Sequence, residues 1–407
     1  MKPRRVAITG IGAISAIGRD VPGMWDSLRN GRTGIVPIEL VDRSKLRFQH
    51  GAEVRGYQPE DYFTPKEATM LDRFAQFAVI AAREAVKSAG LEAGADEFNR
   101  ATVITGSCVG GQTTEDEGFD DLYLKGRPRI NPLIIPKTMA NAGASRISLE
   151  FGIHGGVYTI STACSSSSHA VGQAFWAVRQ GTADLAITGG SEAMFSMGLL
   201  KAWEAMRVVS ADPCRPFSKD RRGLSLGEAG AMIVLEPLDS AQARGATILA
   251  EIVGFGMSSD AHHLTQPSVE GPALALRQAL LDSELEPEQV GYINAHGTGT
   301  LANDPTETRA VRQIFGRHAD KLAISSTKSM HGHTLGAAGA MEAIATVLTL
   351  RDGFFPPTIS YAEADPECDL DVVPNVGRTQ QVEYAFSNSF AFGGLNAVLV
   401  FRAPDSL

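Results

Sequence analysis

Apolar positions along the chain follow two spacings. Short unbroken apolar runs at 5–9 (RVAIT), 101–107 (ATVITGS), 157–160 (VYTI) and 185–190 (LAITGG) predict buried strands, because a strand covered on both faces loses its apolar–polar alternation. Between them, Phe74, Phe77, Ala78, Ala81, Ala82, Ala85 and Val86 recur every three or four positions and predict a long helix. A shorter helix near 21–30, a loop-rich stretch to about 66 and a polar, Gly-containing insertion near 110–135 complete this part. Residues 157–193 read as strand, tight turn, helix, strand, with Ala170, Val171, Ala174, Phe175 and Val178 on one helical face. Two buried strands flanking a buried helix predict a βαβ unit with a right-handed crossover.

The second half repeats this order. The strand ILAEIVGFG (248–256) echoes the opening strand, and the helix ALALRQALLDSEL (273–285) echoes the long helix. The strand VGYINAHGTGT (290–300) echoes ATVITGS, and the segment 322–350 echoes the strand–turn–helix around Cys164. A hairpin, VEYAFSNSF–AFGG–LNAVLVF, closes the chain. The pattern predicts a duplicated α/β core, with an N-terminal half over 1–245 and a C-terminal half over 246–407.

Composition narrows the class. A formal charge of −9 over 407 residues, with 43% hydrophobic and 20% charged residues, describes a globular chain without the basic excess that nonspecific nucleic-acid binding needs. No apolar run approaches the ~20 residues of a membrane helix. The start MKPRRVAITGIG is basic and then apolar, but too short and Gly-rich for a signal peptide. Cys108, Cys164, Cys214 and Cys368 show no CxxC spacing, so four free thiols in a reducing cytoplasm are expected. Gly10, Gly12 and Gly18 suggest a dinucleotide fingerprint, yet Ser15 stands where its third glycine belongs.

Cys164 is the first candidate for chemistry. In STACSSSS it follows a strand and opens a helix, where free backbone N–H groups and the positive helix end favour thiolate. An inert buried cysteine is the alternative. The other three cysteines lack this placement. His296, in NAHGTGT, lies at the carboxyl end of a strand, where ligands of α/β sheets gather. His333 precedes a Gly/Ala-rich helix, and His331 two residues earlier lacks the further ligands a metal site needs. His169 points away from Cys164 on its helix, and His262 and His263 diverge from each other. The small residues at 336–340 admit close packing, by expectation of the helix after Cys164, which would bring Cys164 and His333 into one pocket. Lys328 and Glu342 flank His333 as either a buried pair that sets its field or ordinary surface charges. AFGG (391–394) is either a mobile loop carrying one aromatic or a plain hairpin turn.

Taken in order, TAC at 162–164, NAHGTGT at 294–300, SSTKSMHGH at 325–333 followed by LGAAG, and SNSFAFGG at 387–394 resemble the β-ketoacyl-[acyl-carrier-protein] synthases, most closely the elongating type II enzymes. RPFSKDRRGLSLGEAGAMIVLE (215–236) and VGFGMSSDAHH (253–263) extend the match over nearly the whole chain. The resemblance implies the thiolase fold: duplicated βαβαβ halves in a five-layered α/β core, usually a homodimer. It implies a Cys–His–His site of Cys164, His296 and His333, supported by Lys328 and Glu342. It further implies an oxyanion hole from the backbone of Cys164 and Phe392, with Phe392 as gate. Thr298 and Thr300 match phosphopantetheine contacts, and Cys108, Val109 and Trp203 match acyl-pocket positions. A structural, non-catalytic monovalent cation near Asn294, Glu342, Ser387 and Asn388 follows from the same resemblance. The implied activity is 3-oxoacyl-[acyl-carrier-protein] synthesis by decarboxylative condensation. It needs no cofactor beyond the phosphopantetheine of its partner, the acyl- or malonyl-loaded acyl carrier protein.

The chain also departs from the family pattern. Ala391 replaces the first glycine of the usual GFGG gate, and Trp203 stands where a smaller aromatic is usual. SSSS after Cys164 and the ending GGLNAVLVF resemble specialised condensing enzymes, including those of nodulation factors and aryl polyenes. Of the basic carrier-docking positions Lys66 remains, but Thr69 and Met70 replace the next two. Lys125, Arg127, Arg129, Lys201 and Arg207 are substitutes. A non-catalytic partner subunit and a Cys–His hydrolase are the competing classes.

Overall fold

The computed structural model describes residues 3–404. Ten strands form its main sheet: β1 (Val6–Ser15), β2 (Ala101–Gly106), β3 (Val157–Ile160), β4 (Leu185–Glu192), β5 (Ala229–Pro237), β6 (Ala250–Ser259), β7 (Val290–Asn294), β8 (Ala323–Ser325), β9 (Tyr384–Ala391) and β10 (Leu395–Arg402). The helices that matter here are α1 (Arg73–Ser88), α2 (Ser166–Arg179), α3 (Met197–Met206), α4 (Glu270–Ser283), α5 (Asn303–Phe315) and α6 (Ala338–Asp352).

Strand order is β8-β7-β9-β10-β6-β1-β5-β4-β2-β3. Counted from the start of its own half, each set of five reads third, second, fourth, fifth, first, so the duplication expected from element order is present in the topology. The two sets meet antiparallel at β1 and β6, where Val6, Ala7 and Ile8 pair with Ile252, Glu251 and Ala250. Helices make the remaining layers. α1 packs on β1, β4 and β5 outside the first set; α4, with α5, packs on β6 and β10 outside the second. α2 and α6 touch each other and strands of both sets, which places them in the middle. Three apolar clusters fill the gaps between layers, the central one holding Ala170, Val171, Ala174 and Phe175 of α2 with Ala340, Ile344 and Val347 of α6. This is the five-layered thiolase fold.

Local sequence explains the close approaches. A side chain on Gly10 or Gly12 would collide with the α1 backbone at Ala85 or Ala81, so these glycines serve helix–sheet packing. A side chain on Gly339 would run into Ser168, so the Gly/Ala stretch of α6 does lie against the helix after Cys164. Two expectations need correction. The run 157–160 is not a buried strand: β3 is the sheet edge, with Tyr158 45% exposed, because among the described residues no strand covers its outer side. The insertion after β2 is less polar than expected. It contains a helix, Gln112–Phe119, and leaves Tyr123, Leu124 and Ile135 exposed.

Candidate active site

Three connections place the central residues. Cys164 lies between β3 and α2, and His333 lies between β8 and α6, the equivalent connection of the other half. His296 follows β7; its counterpart after β2 in the first half is the segment Ser107–Val109. Because α2 and α6 are packed together, Cys164, His333 and His296 all open on one cavity, which Trp203, Thr298, Thr300 and Phe392 also line.

The turn holding Cys164 is tightly constrained. Ala163 has a left-handed φ of +52°, uncommon for a residue with a side chain. Ser165 Oγ donates to the carbonyls of Thr162 (2.8 Å) and Leu395 (2.9 Å), tying the turn to β10. His169 Nδ1 lies 3.0 Å from Thr162 Oγ1 and 3.1 Å from the Ser165 carbonyl, so it braces the turn and does not face the cavity through that atom. Burial pushes the Cys164 thiol up to about 12, against the pull of the Lys328 charge and of the Phe392 and Cys164 backbone N–H groups. The resting side chain is therefore a thiol. The helix start alone does not hold a thiolate here, because desolvation outweighs the positive groups around the sulfur.

The imidazoles of His296 and His333 stand 5.4 Å apart, nearly perpendicular at 85°. Burial first, then the Lys328 charge, holds both well below the usual histidine range, so both rings are neutral. Each Nδ1 is sealed from solvent without a partner, whereas neither Nε2 is sealed, which leaves Nε2 as the nitrogen open to the cavity. Lys328 and Glu342 are not surface charges: with side chains 1% and 0% exposed they form a buried ion pair, and the lysine charge reaches both histidines. Burial raises Glu342 to about 7 in spite of that partner.

Several residues of the site were not legible in sequence. Glu307, from α5, accepts the backbone N–H groups of His296 (2.9 Å) and Gly297 (2.8 Å) and the amide of Asn388 (3.1 Å). Asp304, one turn earlier, accepts the N–H of Phe217 at 2.7 Å. The NDPTE run after NAHGTGT carries both carboxylates on one helical face and was the available signal. The segment 260–267 forms part of the cavity mouth. It anchors the hairpin turn, since Gly393 N donates to the Leu264 carbonyl at 2.7 Å and Asp260 N to the Gly394 carbonyl at 2.9 Å.

AFGG is thus a hairpin turn, and its aromatic, half-buried Phe392, stacks on Trp203 with ring centres 6.1 Å apart and planes 24° apart. Positive φ falls on Gly393 (+82°) and Gly394 (+70°), while Ala391 pairs with Leu395 in ordinary strand geometry. Trp203 and Cys164 belong to one apolar cluster with Leu200, Leu224 and Leu335, against which Cys108 packs. Val109 is half-buried beside Cys108. Thr298 and Thr300 share a hydrogen bond of 2.9 Å between their hydroxyls.

Four buried oxygens that the resemblance to the family groups together, Asn294 Oδ1, Glu342 Oε2, Ser387 Oγ and Asn388 Oδ1, all lack a hydrogen-bond partner. Asn294 and Ser387 are direct neighbours across β7 and β9. Uncharged oxygens with one carboxylate suit a hard monovalent cation. Among the described residues no group of three His, Cys, Asp or Glu is arranged to hold a metal.

This fold and this cavity define a thiolase-fold condensing enzyme of the acyltransferase type. The β-ketoacyl synthase N-terminal domain matches residues 3–241 and the C-terminal domain matches 249–362, and the chain belongs to the β-ketoacyl synthase family. It is 48% identical to Nodulation protein E of Rhizobium sp. (strain N33), over 98% of this chain and 99% of that protein. It is 42% identical to 3-oxoacyl-[acyl-carrier-protein] synthase 2 of Staphylococcus aureus (strain COL), over 98% of each. Among solved structures it resembles the ishigamide ketosynthase/chain length factor, at 37% identity and a TM-score of 0.94 over 98% of this chain and 99% of that one. It also resembles a ketosynthase in complex with its type II polyketide acyl-carrier protein, at 29% identity and a TM-score of 0.90 over 99% and 100%.

Proposed function

We propose that the protein is a 3-oxoacyl-[acyl-carrier-protein] synthase that elongates an acyl chain by decarboxylative Claisen condensation, with Cys164, His296 and His333 as its catalytic residues. The observation that carries this reading is convergence: a thiol with backbone N–H groups aimed at it, and two neutral imidazoles offering Nε2, open on one cavity. Cys164 attacks the acyl thioester of a loaded carrier. Its proton leaves with the departing phosphopantetheine sulfur, and the acyl chain stays on Cys164. The Cys164 and Phe392 N–H groups stabilise the oxyanion of this step. Malonyl carrier then enters past Thr298 and Thr300. Loss of CO2 turns its thioester carbonyl into an enolate, whose oxygen accepts hydrogen bonds from Nε2–H of His296 and His333. Neutral rings suit this role, since each offers a fixed donor without burying a charge. The enolate carbon attacks the acyl-Cys carbonyl. Collapse expels the Cys164 sulfur, which takes one proton from solution and returns to the thiol that burial favours.

The supporting parts follow. Lys328, paired with Glu342, keeps the imidazoles neutral. Asn294, Glu342, Ser387 and Asn388 would hold a structural monovalent cation, which offsets carboxylate charge and takes no part in the chemistry. Cys108, Val109 and Trp203 shape the acyl pocket, and Phe392 gates it. No further cofactor enters. The halves 1–245 and 246–407 contribute the nucleophile and the histidines respectively. The unpaired edge β3 and the exposed apolar residues of 119–139 support a homodimer across that edge. Of the basic residues proposed to dock the acidic carrier, Lys125 and Arg127 both pair with Asp121 and Lys201 pairs with Glu204. That leaves Lys66, Arg129 and Arg207 as the stronger contacts. The protein would work in the cytoplasm; among the described residues no helix is long and apolar enough to cross a membrane.

The pathway has two readings. Fatty acid elongation is the first. Trp203 against the gate, together with 48% identity to Nodulation protein E, favours a specialised acyl chain as the second. Purified protein, assayed with short, medium and long acyl carriers and malonyl carrier, tests both. β-Ketoacyl product with CO2 release supports condensation, and the chain preferred separates the pathways. Thioester hydrolysis without condensation would overturn it.

A further inference from the structure

Glu192 ends β4 and is fully buried, yet the reaction above has no task for it. Its carboxylate collects four donors. Oε1 accepts Ser107 Oγ (3.0 Å) and Val109 N (3.3 Å); Oε2 accepts Cys108 N (2.6 Å) and Gly336 N (3.0 Å). No cation is among its main partners, so these donors hold the charge. Such an arrangement is costly to bury and sensitive to the loss of any one donor.

The donors come from two places that chemistry keeps apart. Ser107, Cys108 and Val109 form the loop after β2, at the proposed acyl pocket. Gly336 lies in the turn three residues after His333. That turn is constrained on both sides: Leu335 has φ +46°, and a side chain on Gly336 would lie 2.5 Å from Glu192 Oε2. Leu335 packs in the same apolar cluster as Cys164 and Cys108. One carboxylate therefore holds the first-half loop and the second-half turn at a common point, across the boundary between the two halves.

We infer that Glu192 is a positioning residue that couples the acyl pocket to His333: an acyl chain pressing on the 107–109 loop is felt, through Glu192, at the turn behind His333. The coupling would favour decarboxylation of malonyl carrier once Cys164 carries a chain long enough to reach Cys108 and Val109, and disfavour it on an empty enzyme. Burial raises Glu192 to about 7 even with its four donors, which agrees with a carboxylate that depends on them. The inference rests on the proposed condensation and on the proposed pocket.

The experiment measures CO2 release from malonyl carrier by full-length protein whose Cys164 is free, loaded with a two-carbon chain, or loaded with a medium chain. Intact mass confirms each loading. In the wild type the medium chain should speed decarboxylation relative to the two-carbon chain by about 5- to 150-fold, the usual span of coupling between sites. Glu192→Gln keeps the shape but loses one acceptor oxygen. It should flatten this chain-length dependence to within about threefold, a small part of that span, while still accepting a two-carbon chain on Cys164. Ser107→Ala removes a single donor and should reduce the dependence in the same direction; it keeps the test alive if Glu192→Gln does not fold. A merely structural role would lower all rates together and leave the ratio between chains unchanged. An unchanged ratio in a folded variant, or no chain-length dependence in the wild type, overturns the inference. Failure of the wild type to acylate or decarboxylate at all is a different result and overturns the proposed function instead.

Discussion

Replacing Lys328 with methionine should be among the most damaging single changes in this protein. The ion pair it forms with Glu342 has side chains 1% and 0% exposed, so no water can replace the lost ammonium. Breaking a buried pair from one side typically costs about 3–5 kcal/mol, because the remaining charge stays desolvated. The carboxylate can escape part of this by taking up a proton. Glu342 stands at about 7 with its lysine in place, and without it must rise further. A carboxyl group with a raised folded pKa binds protons more tightly folded than unfolded. Its penalty is therefore full above the folded value and is relieved as pH falls toward the unfolded one. The deficit of Lys328→Met should be larger at about pH 8 than at about pH 5.5. Urea unfolding followed by tryptophan fluorescence at both pH values, without added sodium or potassium, measures it. Lys328→Met/Glu342→Leu should recover most of the stability, since apolar replacement of a buried pair is often neutral, yet remain inactive. A deficit below about 1 kcal/mol in the single variant, the size of an exposed pair, or an equal deficit at both pH values, would falsify this account of the pair.

Five further outcomes are expected. His296→Ala and His333→Ala should each slow malonyl decarboxylation by about 10²–10³, the usual loss for one such donor, and slow acylation of Cys164 less; the reverse order by mass spectrometry would exchange the roles. Burial and Lys328 hold both histidines well below their ordinary range. Decarboxylation by the Cys164→Gln variant should therefore stay flat through the normal histidine titration and fall only in more acid solution; a midpoint at the ordinary histidine pKa contradicts neutral donors. Adding sodium or potassium should raise the unfolding midpoint more than a bulky organic cation does, and Asn388→Leu should abolish the difference. Trp203→Ala should extend the range of chains that acylate Cys164, because the indole stacks on the gate. Ala391→Gly should speed long chains only if the turn must rotate, since Ala391 itself sits in unstrained strand geometry.

Much of the architecture was legible in element order. The strand–helix alternation repeated across 1–245 and 246–407 reads as a duplication, and both sets of five strands do share one order, but that order itself is not legible in the sequence. Close packing of α6 on α2 was readable from missing side chains at 336–340. The edge position of β3 was not, since burial of VYTI depends on a neighbour outside the run. Cys164, His296 and His333 were named from their places after strands and from family motifs. The thiol's protonation was misjudged, because helix placement is local whereas desolvation belongs to the assembled core. Glu307 and Glu192 were invisible for a similar reason. Glu307 has an acidic neighbour, Asp304, in the NDPTE run, but nothing local says that it accepts from His296 and Gly297; Glu192 is an isolated acid in sequence, and only the fold brings it N–H groups from 107–109 and 336.

The central claim is that Cys164 carries the chain while His296 and His333 drive decarboxylation. Its most direct test is single-turnover mass spectrometry with an acyl carrier followed by isotopically labelled malonyl carrier. The account predicts an acyl adduct on Cys164 that disappears as labelled β-ketoacyl carrier and CO2 form in equal amounts, with neither adduct nor product in Cys164→Ala. Condensed product from Cys164→Ala, or an adduct that is released only as free acid, would contradict it.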